Sequence, residues 1–233
     1  MGIASTYGPD PPPVQTTHSH VKAPALSPTW KGFVHTTMDA MMIFEACLSG
    51  YLHHIPRRPH DKERPELITS GSCFVYEENA SGIKRWTDGM SWSPSRIMGN
   101  FLVYRELNQP FPPGEKKRAK RKRSMADVGN EANYRKSSNS PDVETPAKGN
   151  CAEDRRLVGS LIDSYGFKKG GLIKKTLSIS SNQCNHHIIC YYTLEDIKAG
   201  KCLRPVQHPD LAHLRPRPSL VEGTAKFRCP LSE

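Results

Sequence analysis

At 233 residues, with 33 Lys and Arg against 23 Asp and Glu, the chain carries a formal charge of +10, yet only 36% of it is hydrophobic. Globular chains usually run ~45–50% apolar, so the composition argues against a chain that packs throughout its length. No run approaches the ~18 apolar residues needed to span a bilayer and no signal peptide precedes the proline-rich start, so no membrane partner is expected.

The deficit is local. Residues 1–29 ("PDPPPVQTTHSH"), 108–154 and 205–233 ("HPDLAHLRPRPSL") are rich in proline or charge and poor in aliphatics. Each offers too little apolar surface to offset the entropy of ordering, so they read as a disordered N-terminal tail, a disordered linker and a C-terminal tail. The remaining blocks, 30–107 and 155–204, together approach the size of one domain, ~100–150 residues. The second is small to stand alone without a metal or disulfides, so one domain built from both blocks is the economical arrangement. Block 30–107 holds nine basic and nine acidic residues, whereas block 155–204 holds nine basic and three acidic. Excess positive charge on a folded segment and on the linker points to an anionic partner such as nucleic acid; a merely soluble basic surface is the alternative. Seven cysteines (47, 73, 151, 184, 190, 202 and 229) include no CxxC pair and read as reduced intracellular thiols.

In chain order, "MGIAST" formally fits the N-myristoylation pattern at Gly2 and Thr6, although one acyl chain alone anchors only marginally. In "WKGFVHTTMDAMMIFEACLSGYL" a short strand-like lead passes into a helix. Thr36 or Thr37 can cap it, Asp39 favours its first turn, and Met41, Phe44, Cys47, Leu48 and Tyr51 form one apolar face. "RPHDKERPEL" is a short helical or turn segment, and "SGSCFVYEE" a strand entered through Gly71. In "SPSRIMGNFLVYREL", Ser93 and Pro94 suit a helix start and Ile97, Phe101 and Tyr104 recur at helical spacing, so a helix is expected. Gly99 weakens that helix and leaves a strand open. In the second block "GGLIKKTLSIS" and "CNHHIICYYT" read as strands, and Thr193 with Asp196 resembles a capping box opening a short helix closed by Gly200. Two strands cannot bury a sheet face alone, so a sheet shared with the first block is expected.

Few motifs carry chemistry. Cys184, His186, His187 and Cys190 lie on one strand whose ends are ~20 Å apart, too far for one tetrahedral zinc, so no metal or other cofactor is expected. No phosphate loop, nucleophile elbow or metalloprotease motif occurs, and no enzyme is expected. "EKKRAKRKRS" places Lys116, Lys117, Arg118, Lys120, Arg121, Lys122 and Arg123 in the linker, the pattern of a nuclear localisation signal read by the nuclear import machinery. The same run sets basic residues ahead of Ser124, a basophilic kinase pattern. Finally, "GIKRWTDGMSWSPSR" puts Lys84 and Arg85 at the tip of a tight turn braced by the tryptophans that follow, Trp86 and Trp92. An arginine held out by packed indoles avoids the ordering entropy of a floppy loop and suits the negative minor groove of A·T-rich DNA; a cation–π turn serving only the fold is the alternative.

The stretches "FVHTTMDAMMIFEACLSG", "SGSCFVYEENASGIKRWTDGMSWSPSRIMGNFLVYREL" and "LIKKTLSI…HHIICYYTLEDIKAG" resemble the WOPR-domain fungal transcriptional regulators, and the likeness covers nearly all of both blocks. The resemblance implies a single α+β domain in which two conserved regions, separated by a variable linker, build one interdigitated antiparallel β-sheet flanked by short helices. It implies sequence-specific binding of double-stranded DNA in the nucleus, serving a fungal developmental or morphological programme, with the sheet tilted into the major groove and an arginine deep in the minor groove. On this chain that arginine falls on Arg85, with Lys84 and Thr87 beside it and Trp86 and Trp92 as supports. Arg96, Lys174, Lys175 and Thr176 join the DNA-contacting candidates, the last three at the sheet edge. Thr87 also matches a protein kinase A-type site of the family, although its place in a packed turn makes Ser124 the more accessible target. A nuclear adaptor without direct DNA binding is the alternative function.

Overall fold

The computed structural model describes residues 25–112, 150–162, 164–221 and 227–232. Gly2, the basic tract 116–123 and Ser124 lie outside the described residues. Block 30–107 supplies β1 (Trp30–Lys31), β2 (Ser72–Glu77), β3 (Arg96–Met98) and β4 (Phe101–Arg105). Block 155–204 supplies β5 (Ile173–Ser181) and β6 (Cys184–Tyr192). All pair antiparallel in one six-stranded sheet of order β1-β2-β6-β5-β4-β3. The expected shared sheet is therefore interdigitated: the second block forms the centre and the first block both flanks. Ile188 to Tyr192 of β6 is buried at every position, as a strand covered on both faces must be.

One face carries the main core, where Cys73, Val75, Phe101, Val103, Ile173, Leu177, Ile188, Cys190 and Tyr192 pack against α1 (Thr37–Leu48). On the other face Phe74, Tyr76, Ile189 and Tyr191 join Ile55, Ile68 and Ile83 in a second, smaller core. Thr36 is the cap of α1: its hydroxyl accepts from the Asp39 N–H at 3.2 Å, and the Asp39 carboxylate accepts from the Thr36 N–H at 3.1 Å. The helix is buried on every side from Asp39 to Cys47, not along one stripe, and Tyr51 of the expected stripe is 62% exposed.

What covers the far side of α1 is the segment read from composition as a C-terminal tail, and for its described residues that reading is corrected. Arg217 clamps Glu45 through two bonds of 2.8 Å, and just before this segment Arg204, the last residue of the second block, clamps the Asp39 carboxylate at 2.9 and 3.1 Å. Leu211, Leu214 and Leu220 are buried in the main core, the last on α6 (Pro218–Val221). Averaged composition hides three leucines and an arginine that each find a specific place. The linker boundary shifts for a similar reason, because α4 (Asn150–Val158) begins inside 108–154 and buries Leu157 and Val158.

The helix expected over 93–107 is absent. Gly99, at φ +57°, turns the chain between β3 and β4, and Ile97 pairs with Leu102 across the hairpin. Ser93 is not a helix cap: its N–H donates to the Arg105 carbonyl at 2.9 Å, and its hydroxyl accepts from the Arg105 N–H at 3.1 Å. The helical spacing of Ile97, Phe101 and Tyr104 was fortuitous once the alternation of Phe101 and Val103 against Leu102 and Tyr104 found the edge of β5. Short helices α2 (Arg64–Leu67), α3 (Glu78–Ser81) and α5 (Leu194–Lys198) complete the unit, α5 capped by Thr193 as expected. Among the described residues no helix is long and apolar enough to cross a membrane.

Candidate nucleic-acid interface

The exposed cations of "GIKRWTDG" are set by what precedes and follows them. Gly82 leaves α3 at φ +66°, which drops Ile83 into the second core at 2% exposure and leaves Lys84 and Arg85 in solvent. Trp86 then returns to the sheet. Its indole N–H donates to the Tyr191 hydroxyl at 2.6 Å, and its ring lies parallel to Tyr76 with centroids 5.9 Å apart. Tyr76 stacks in turn on His187 at 4.8 Å, and the two His187 ring nitrogens meet the Ser178 hydroxyl at 2.6 Å and the Glu78 carboxylate at 2.7 Å. Among the described residues no hydrogen bond or ion pair engages the Arg85 guanidinium. The backbone bearing it is fixed while its charge is left free.

The anchor beneath this turn is Asp88. One carboxylate oxygen accepts from the Met90 N–H at 3.2 Å and the Trp92 indole at 2.9 Å; the other accepts from Lys174 Nζ at 2.9 Å and the Tyr191 hydroxyl at 2.8 Å. Burial pushes the Asp88 pKa up, but the Lys174 charge and the donors from Trp92, Lys174 and Tyr191 outweigh it and hold the carboxyl below its ordinary value. Burial, then the Asp88 charge, raise the Tyr191 phenol well above its usual range, so it remains a donor. Both tryptophans are thus tied to one carboxylate, Trp92 directly and Trp86 through Tyr191.

Beside the turn the sheet face stays open, forming a groove of about 580 Å³ walled by Arg85, Trp86, Trp92 and Tyr104 and floored by Thr176, Ser178 and His187. The candidates from the sequence divide between this groove and elsewhere. Lys84, Arg85 and Thr87 are exposed on the turn and Thr176 lies in the groove. Thr87 is more accessible than a packed turn suggests, and Arg58 donates to its hydroxyl at 3.3 Å. Lys174 is corrected: it is buried, with its ammonium 4.4 Å from the Trp92 ring centre and 5.1 Å from that of Tyr104, locked to Asp88. Lys175 is corrected too. It lies on the core face at 2% exposure, where it donates to the carbonyls of Val34 and His35 and sits 3.9 Å from the Phe101 ring centre. Arg96 shares that core-side register with Lys175 and donates to the Tyr165 hydroxyl at 3.2 Å, away from the groove. Nor is β5 an edge strand, since β4 and β6 pair with it on either side. A strand sends successive side chains to opposite faces, so three adjacent residues could not all serve one surface.

Sequence reasoning missed Asp88, Tyr191, His187 and Arg58. Only Asp88 left a signal, a carboxylate inside an aromatic segment that needed a buried partner. The Cys184–Cys190 cluster divides between faces, with His186 on the core side beside His54 and His187 at the groove. Among the described residues no group of three or more His, Cys, Asp or Glu is placed to hold a metal.

Residues 29–193 match the Gti1/Pac2 family, which is most of the chain. The chain belongs to that family. Among its Gti1/Pac2 relatives, global transcription regulator sge1 of Gibberella moniliformis is 54% identical over 216 residues, covering 89% of this chain and 66% of that protein. Transcriptional regulator MIT1 of Saccharomyces cerevisiae is 36% identical, covering 84% of this chain and 33% of that protein. The WOPR domain of Wor1 of Candida albicans, solved in complex with a 13-base-pair double-stranded DNA, matches with a TM-score of 0.55 at 32% identity, over 84% of this chain and 95% of that one. The likeness to WOPR-domain regulators and the α+β fold it implied are both upheld. The Gti1/Pac2 chain spans about two thirds or less of the length of these curated relatives.

Proposed function

We propose that this Gti1/Pac2 chain is a nuclear, sequence-specific DNA-binding regulator of transcription, acting in a fungal developmental or morphological programme. It reads A·T-rich duplex with the open sheet face in the major groove and with Arg85 in the minor groove. The observation that carries the reading is the Arg85 turn: an exposed guanidinium engaged by no described residue, on a backbone pinned by two half-buried, hydrogen-bonded indoles, beside an open polar groove. A narrow A·T minor groove concentrates negative potential, and a pre-positioned arginine enters it at little entropic cost. Relatives named as global transcription regulators, and the Wor1 domain solved with DNA, support the same reading.

Two regulatory features belong to the proposal. The tract 116–123 is a nuclear localisation signal for the import machinery. Thr87 and Ser124 are targets of a basophilic, protein kinase A-type kinase. A phosphate on Thr87 would add ~−2 charge to the exposed turn, where it would repel DNA phosphates.

Selection from random DNA followed by fluorescence anisotropy on the recovered duplex tests the reading. Arg85→Ala is expected to lose roughly 10- to 100-fold in affinity with an unchanged thermal midpoint. Undiminished, sequence-selective binding by Arg85→Ala overturns the minor-groove assignment. Absence of any binding by the wild-type chain at low salt leaves a protein-interaction module as the reading.

A further inference from the structure

The sheet register lines up Phe74, Ile189, Thr176, Leu102 and Ile97 as one row of directly opposed side chains across β2, β6, β5, β4 and β3. Phe74 and Ile189 are buried in the second core under Trp86. Past the tryptophan segment the row is uncovered: Thr176 floors the groove, Leu102 is 40% exposed and Ile97 is 55% exposed. An opposed pair of large aliphatics in solvent, one on the edge strand of a sheet and one on its neighbour, is an aggregation liability that folds normally blunt with charge. Here the pair continues the floor of the groove without a break, and neighbouring residues of that face are polar: Ser178 and His187 on one side, Tyr104 on the other.

We propose that Thr176, Leu102 and Ile97 form an apolar rung that reads the 5-methyl groups of thymines in the major groove, and so supplies sequence discrimination that Arg85 cannot. This rests on the DNA-binding reading above. Strands are spaced ~4.8 Å apart, so the rung spans roughly 10 Å, matching a major groove ~12 Å wide. The minor groove shows the same acceptors for A·T and T·A, whereas the thymine methyl in the major groove tells them apart. An arginine in the minor groove therefore selects A·T over G·C, and a methyl-contacting rung can fix on which strand each thymine lies. A leucine, an isoleucine and a threonine methyl are suitable partners because the contact is dispersive and needs no donor. The polar flank of Ser178 and His187 is left to meet base-edge acceptors.

Deoxyuridine separates the two grooves, since replacing thymine removes only the methyl and leaves the minor-groove acceptors unchanged. The full chain is titrated against the duplex recovered by selection and against the same duplex carrying deoxyuridine at every thymine. The wild type is expected to lose about fourfold per methyl contacted, roughly tenfold or more in all. Ile97→Ser/Leu102→Ser, at exposed positions, is expected to keep its thermal midpoint, bind the thymine duplex more weakly, and no longer distinguish thymine from deoxyuridine. Equal wild-type affinity for both duplexes overturns the inference while leaving DNA binding intact, and this arm needs no variant to fold. Retention of the wild-type ratio in the double variant overturns it as well. So does a wild-type dimer in sedimentation velocity that becomes monomeric in the double variant with the ratio unchanged, because the rung is then a self-association surface. Failure of the wild type to bind any duplex at low salt removes the DNA-binding reading itself, and the rung with it.

Discussion

Asp88 and Lys174 form a buried ion pair, Oδ2 to Nζ 2.9 Å, with side chains only 5% and 11% exposed. One partner lies in the turn of the first block and the other in a central strand of the second, so the pair closes the presenting turn onto the sheet across the chain's two halves. Asp88→Ala leaves a buried ammonium without its counter-charge, and should cost about 3–5 kcal/mol of stability in urea denaturation. Lys174→Met should cost less, because the carboxylate keeps its bonds from Trp92, Tyr191 and Met90. The double variant should be less destabilised than the sum of the singles. Strict additivity would show that the two charges do not act as a pair.

Salt dependence distinguishes surface cations from buried ones. Lys84 and Arg58 are exposed beside Arg85, so Lys84→Ala and Arg58→Ala should each weaken DNA binding at all sequences alike. Each should also flatten the plot of log affinity against log salt by about 0.9. Lys175→Met should leave that slope unchanged, because its ammonium is spent on the carbonyls of Val34 and His35.

Acid should loosen the strap across α1. The Arg217 side-chain hydrogen bond, partly opposed by burial, lowers the Glu45 carboxyl from 4.5 to about 2. A carboxyl depressed in the folded state adds stability that is complete above its unfolded pKa and is lost as pH falls through the folded one. The contribution, roughly 1–2 kcal/mol with Arg217 partly in water, should therefore disappear between about pH 4.5 and about 2. Urea midpoints across that window should fall less steeply for Glu45→Gln than for the wild type.

Removal of residues 205–233 should be far more damaging than loss of a tail. It strips Leu211, Leu214 and Leu220 from the main core and Arg217 from Glu45. At ~1.5–3 kcal/mol for each buried leucine, the loss rivals the whole margin of a small domain, about 5–15 kcal/mol. The truncated chain is expected to lack a cooperative thermal transition, and a wild-type melting curve would refute this.

Block 30–107 alone should likewise fail to fold, since β2 and β4 meet only through β6 and β5. Co-expression with residues 150–221 should restore a cooperative transition, read by circular dichroism.

Much of this protein follows from the sequence alone. Thr36 and Asp39 announce the start of α1, because a capping box is satisfied within four residues of chain. Three strands, β2, β5 and β6, show in β-branched and aromatic runs, and the need for a shared sheet follows from the second block's inability to bury a face by itself. The exposed cations and their tryptophan supports were legible because such residues together fit neither a surface loop nor a core. Strand against helix for 93–107 was decided only in the fold, where the neighbouring β5 supplied the partner that an isolated hairpin lacks. The fates of Lys174, Lys175 and Arg96 were likewise hidden. Which face a strand residue occupies depends on register, and register is set by contacts between residues a hundred or more positions apart, such as Asp88 with Tyr191 and Cys73 with Cys190. Charge type and order are local and can be read along the chain; burial and pairing are properties of distant neighbours, and only tertiary structure decides them.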